Sequence, residues 1–133
     1  MDPAQLRDRT KKFAVDTIRL AKRLPNDRIT NRIASQLTDS AGAVAAGYRA
    51  VCRARSRADF IYKLGNTIEE ADESAVWLEI LTEAELSPGS ETAPLWSEAD
   101  ELVRILVRSR ESTEGETHPL NHESPNCHSK TIH

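Results

Sequence analysis

Residues 48–81 read YRAVCRARSRADFIYKLGNTIEEADESAVWLEIL. A short basic turn centred on Arg53, Arg55 and Ser56 is flanked on both sides by apolar residues at spacings of three and four, the period of a helix face. The stretch therefore predicts a helix, a tight reversal and a second helix. Ser56 opens the second of these, because Ser56-Arg57-Ala58-Asp59 has the form of a capping box. In it the serine oxygen meets a first-turn amide and the acid three positions on reaches back.

Working outward, the segment before the turn extends upstream to about Arg28 and downstream to about Arg53, with Ile29, Ile33, Leu37, Ser40, Val44, Gly47, Tyr48 and Val51 inward. Its middle, SAGAVAAGY, is rich in small residues, which let a neighbouring helix backbone come close. A pocket lined by Gly42 and Gly47 is the alternative use of that segment. Asn26 and Asp27 can cap this helix, and Pro25 ends the one before it. That first helix opens on Asp2-Pro3 and keeps Leu6, Thr10, Phe13, Thr17, Leu20, Ala21 and Leu24 on one face.

Downstream of the turn, Phe60, Leu64, Ile68, Ala71, Ala75, Leu78 and Thr82 make a core stripe. A second stripe on the far side holds Tyr62, Val76, Trp77 and Ile80, more apolar surface than a monomeric helix usually leaves in water. These four are a candidate oligomer interface. Leu86-Ser87-Pro88-Gly89 closes the third helix, and a loop through Thr92 and Pro94 leads to a fourth with Leu95, Ala99, Leu102, Val103 and Leu106 on one side. The expected domain is a four-helix bundle over residues 1–112 in up-down-up-down order. From Thr113 to His133 the chain is polar and proline-bearing, and is expected to form a disordered tail.

Composition agrees with packed helices. In 133 residues, 29% are charged and 5% aromatic, which suits a single all-α domain better than a β-sandwich. The opening MDPAQLRDRTKK has no apolar signal region, and no run of about 18 apolar residues occurs. A cytoplasmic protein without a membrane partner is the expectation. Cys52 and Cys127 do not make a disulfide framework and are read as thiols. The net charge of −3 conceals a split. Residues 1–63 carry 14 Lys and Arg against 6 Asp and Glu, a net +8, while residues 64–133 carry 4 against 15, a net −11. Such halves favour packing basic on acidic, within a subunit or between subunits.

The run YRAVCRARSRADFIYKLG, followed by EEADESAVWLEIL, resembles the signature of the bacterial four-helix bundle family related to proteins encoded in 23S rRNA intervening sequences. The resemblance extends from about Thr10 through the fourth helix. It implies an up-down bundle that assembles into a homopentameric ring with a central channel. A relative of that family, the accessory variability determinant protein of diversity-generating retroelements, binds a reverse transcriptase and nucleic acid through a basic surface. Two departures stand out: Gly47 occupies a position commonly Asn in relatives, and the whole chain is mildly acidic where the retroelement proteins are basic.

Arg49, Arg53, Arg55, Arg57 and Lys63 concentrate positive charge near one end of the bundle. They could meet RNA phosphates or a nucleic-acid enzyme. The competing and favoured reading is pairing with Glu69, Asp72, Glu73 or a neighbouring subunit's acids, because no aromatic stacking platform lies beside them. Glu69, Glu70, Asp72, Glu73 and Glu79 lack the Glu-x-x-His partners of a bundle metal site, since the first histidine is His118. His118, His122, Cys127, His128 and His133 have ligand chemistry but not ligand spacing. No catalytic, cofactor or metal residues are therefore assigned. The expected activity is that of a non-enzymatic, self-assembling scaffold or accessory protein, with an RNA or nucleoprotein adaptor as the alternative.

Overall fold

A computed structural model describes residues 1–115, and the sequence signals for helix starts explain most of its boundaries. The helix α1 spans Pro3–Ala21, and its cap Asp2 accepts from the Gln5 amide while the Gln5 side chain accepts from the Asp2 amide. The next helix, α2, spans Arg28–Val51. Its cap Asp27 takes both the amide and the hydroxyl of Thr30, at 2.9 Å each, and these bonds hold the Asp27 carboxyl below its ordinary pKa. The third, α3, spans Arg57–Glu83 from its cap Ser56. The fourth, α4, spans Gly89–Glu114. Among the described residues there is no strand.

Neighbours in sequence are neighbours in space, and α1 closes on α4. The result is an antiparallel up-down-up-down bundle. Two layers of core follow one another along its axis. Phe13, Val44, Tyr48, Phe60, Leu64 and Leu102 lie in the one near the basic turn, and Leu20, Leu37, Leu78 and Leu81 fill the other. The α1/α4 seam is stitched by charge: Arg9 donates to both Glu98 oxygens at 2.6 and 2.8 Å, and Arg23 donates to Glu91 at 2.6 Å. Basic and acidic halves thus meet within the subunit.

Several details differ from the expectations. There is no loop through Thr92 and Pro94, because α4 already starts at Gly89. Pro94 removes a single helical bond, toward the carbonyl of exposed Ser90. Buried Thr92 ties the segment to α3 through a 2.6 Å contact with the Thr82 hydroxyl. At the other end α4 runs two residues past Ser112, with Thr113 buried. The remainder of the expected tail, 116–133, lies outside the described residues. Ile29, expected inward, is 70% exposed, because Thr30 takes the inner position of that turn. At the α3 capping turn the Asp59 carboxylate reaches back to the amide of Arg55, 3.1 Å away. No glycine closes α3. Glu85 adopts φ 59°, and its amide and that of Leu86 bond back to Thr82 and Leu81, a Schellman closure on a non-glycine residue.

Candidate interaction surfaces

The basic turn is divided in the structure. Arg57, at the first position of α3, reaches across to the end of α4. Its Nε and Nη2 donate to the Thr113 carbonyl at 3.0 and 2.5 Å, and Nη2 also donates to Glu114 O at 3.2 Å. Those carbonyls are the ones a helix C-terminus leaves without internal partners, so Arg57 is a cap. Lys63 pairs with Asp59 one turn back at 2.9 Å. That bond, followed by the one from the Arg55 amide, draws the Asp59 carboxyl below its ordinary pKa. Arg49, Arg53 and Arg55 remain exposed, and among the described residues none of their side chains makes a direct ion pair, although the Arg55 charge adds to the pull on the Asp59 carboxyl. The pairing expected with Glu69, Asp72 or Glu73 is not formed within the subunit.

Arg49 belongs to a second grouping that the sequence reading missed. Antiparallel packing brings the start of α1 beside the end of α2, where Arg7 Nη1 approaches the Cys52 thiol sulfur at 3.8 Å. Arg7, Lys11 and Arg49 then line a cleft of about 370 Å³ whose other walls are Gly42, Ala45 and Ala46. Three cations, small residues and no carboxylate make a site suited to anions. The signal available in the sequence was the i, i+4 spacing of Arg7 and Lys11 on the α1 flank that faces α2.

The apolar stripe assigned to the outer side of α3 separates into parts. Tyr62, Val76 and Ile80 point outward, at 68%, 45% and 36% exposure. Tyr62 stands roughly 21 Å along the axis from Val76, with Glu69 and Glu73 exposed between them. Trp77 does not share their face. It is half-buried against the second core layer alongside Ile33, and its Nε1 is buried without an acceptor among the described residues. Trp77, Ile29, Arg32, Ile33 and Gln36 line an open groove of about 700 Å³ between α2 and α3.

On the other flank of α3 lies a groove of about 440 Å³ against α4, lined by Leu78, Thr82, Thr92, Ala93 and Trp96 with Glu79 and Glu83 at its edge. Half-exposed Trp96 donates its Nε1 to Glu79 at 2.8 Å. Nearer the basic turn, Glu70 shares an α2/α3 groove with Gly47, Tyr62 and Lys63. Partial burial, with Glu73 and Glu69 adding like charge, pushes its carboxyl above the ordinary carboxylate range.

No histidine lies within residues 1–115, and among the described residues no three His, Cys, Asp or Glu side chains are grouped to hold a metal. The tail residues His118, His122, Cys127, His128 and His133 lie outside the described residues. No helix of the described residues is long and apolar enough to cross a membrane.

Comparison with known proteins places this geometry in a family context. The family model described as "23S rRNA-intervening sequence protein" matches residues 4–108. A solved crystal structure, of a protein of unknown function from the S23 ribosomal protein family of Bacteroides thetaiotaomicron, is similar with a TM-score of 0.75 and 29% identity. The match covers 80% of this chain and 98% of that one. No curated protein matches the chain.

Proposed function

The chain belongs to the 23S rRNA-intervening sequence protein family, and from that footing we propose that it is a non-enzymatic bundle that works by self-assembly, as a homopentameric scaffold or accessory protein. The observation that carries the reading is the apolar surface left uncovered around the pole opposite the basic turn: Val76 and Ile80 on α3, Ile29 on α2 and Trp96 on α4. Single exposed apolar residues are ordinary, but several around one end, beside open grooves, favour a protein partner. Five copies is the number that the family resemblance implies. Light scattering at micromolar concentration tests it: the expected mass is roughly five times the 14.8 kDa chain mass, and a clean monomer would remove the reading.

A second reading, an RNA or nucleoprotein adaptor, is favoured by one specific feature. Arg7, Lys11 and Arg49 line a cleft without a carboxylate, and Arg53 and Arg55 lie exposed beyond it. Phosphates held there would release counterions, so affinity for labelled single-stranded or duplex RNA must fall steeply between low and high salt. Absence of binding at low salt would eliminate it, whatever the outcome of light scattering.

A further inference from the structure

The two grooves on α3 differ in charge as well as in position. The α2/α3 groove presents Ile29, the most exposed large apolar side chain of the described residues, next to Arg32. The α3/α4 groove is lined by Leu78, Thr82 and Trp96 with Glu83 at its edge. Among the described residues neither Arg32 nor Glu83 has an ion-pair partner, whereas Glu79 already accepts from Trp96. The grooves lie on opposite flanks of α3, since Trp77 borders one and Glu79 the other, about 200° apart around the helix. One subunit therefore cannot bring them together, but it can offer both at once.

We infer that the Ile29/Arg32 edge of one copy docks in the α3/α4 groove of the next, with Ile29 seated among Leu78, Thr82 and Trp96 and Arg32 against Glu83. This inference rests on the self-assembly reading and specifies its joint. The contact is between unlike surfaces, so repetition generates a ring when the rotation closes. Charge complementarity sets the direction: a basic edge meets an acidic one, while edge-to-edge contacts of like kind bring Arg against Arg or Glu against Glu. A groove of about 440 Å³ has room for an isoleucine side chain with its neighbours.

A charge swap in the full-length chain tests the joint. Arg32→Glu and Glu83→Arg each place like charges at every contact and should raise the concentration at which the assembly half-dissociates roughly tenfold or more. The double variant Arg32→Glu/Glu83→Arg restores the pair in reverse and should recover most of the loss, as read by light scattering over a dilution series. Far-UV circular dichroism checks that all variants keep their helices, which both exposed positions predict. If the single variants assemble like the parent, or the double variant falls further than either single, this joint is wrong while self-assembly stands. If the parent itself stays monomeric, both the joint and the self-assembly reading fall.

Discussion

Arg57 donates twice to the carbonyl of Thr113, joining the first residue of α3 to the last turn of α4 across 56 positions of sequence. A residue that reads as part of a basic surface is thereby a structural clasp. Replacing it by alanine leaves carbonyls at the α4 terminus without their charged donor, and should cost about 1–2 kcal/mol in urea unfolding. Amide exchange should rise in the last turn of α4 more than elsewhere. Arg57→Lys keeps the charge but not the two-pronged geometry, and should recover less than half of the loss.

Two glycines of α2 should respond in opposite directions. A Cβ at Gly42 meets nothing within 4 Å, whereas one at Gly47 would stand 2.6 Å from Thr67 Oγ1. Thr67 is fully buried and bonded to the Lys63 carbonyl, so it cannot turn aside without losing that bond. Gly42→Ala should stabilise by about 0.5–1 kcal/mol, and Gly47→Ala should destabilise by about 1–3 kcal/mol. Adding Thr67→Ala to the latter should return part of the loss, a pattern that denaturant titration of the four proteins would reveal.

Glu85 sits in the left-handed region where a side chain is unfavourable. Glu85→Gly should therefore raise stability by about 1 kcal/mol without moving the ends of α3 or α4. Thermal unfolding should show the gain, and an unchanged helix signal should accompany it.

The Glu70 carboxyl titrates higher when folded than when unfolded, so the native state holds its proton more firmly. Its contribution to stability is present below the ordinary glutamate value of 4.5 and is lost as pH rises through the higher folded value. Glu70→Gln should leave stability unchanged at acidic pH and improve it by roughly 0.2–1 kcal/mol at pH 7, a gain limited by solvent screening. Unfolding curves of parent and variant across pH 3.5–8 would diverge upward from about pH 4.5.

Helix starts that carry a side-chain cap were legible: Asp2, Asp27 and Ser56 each stand where the backbone leaves the extended region. The start of α4 was not, because Pro88 caps it without a side-chain bond and Pro94 argues locally for a loop. Buried polar positions were also hidden. Thr67 and Ser74 turn their hydroxyls to carbonyls four residues back, and Ser74 also bonds Ser40 at 2.9 Å, so both pack as small core residues. Of the candidate surfaces, exposure of Tyr62, Val76 and Ile80 follows from helical spacing alone. The inward turn of Trp77, the capping role of Arg57 and the company of Arg7 and Lys11 do not. Each depends on which helix lies alongside, and that is a property of the packed bundle.

An even number of antiparallel helices brings the start of α1 and the end of α4 to one pole. Arg7 beside Cys52 and Arg57 beside Thr113 mark that pole as the one carrying the arginine turn. Anything joined before Asp2 consequently leaves the bundle there, on the far side from Ile29 and Trp96. An affinity tag or fluorescent fusion at the N-terminus would crowd the cationic pole and spare the apolar one, so the placement of a label decides in advance which of the two surfaces an experiment can still observe.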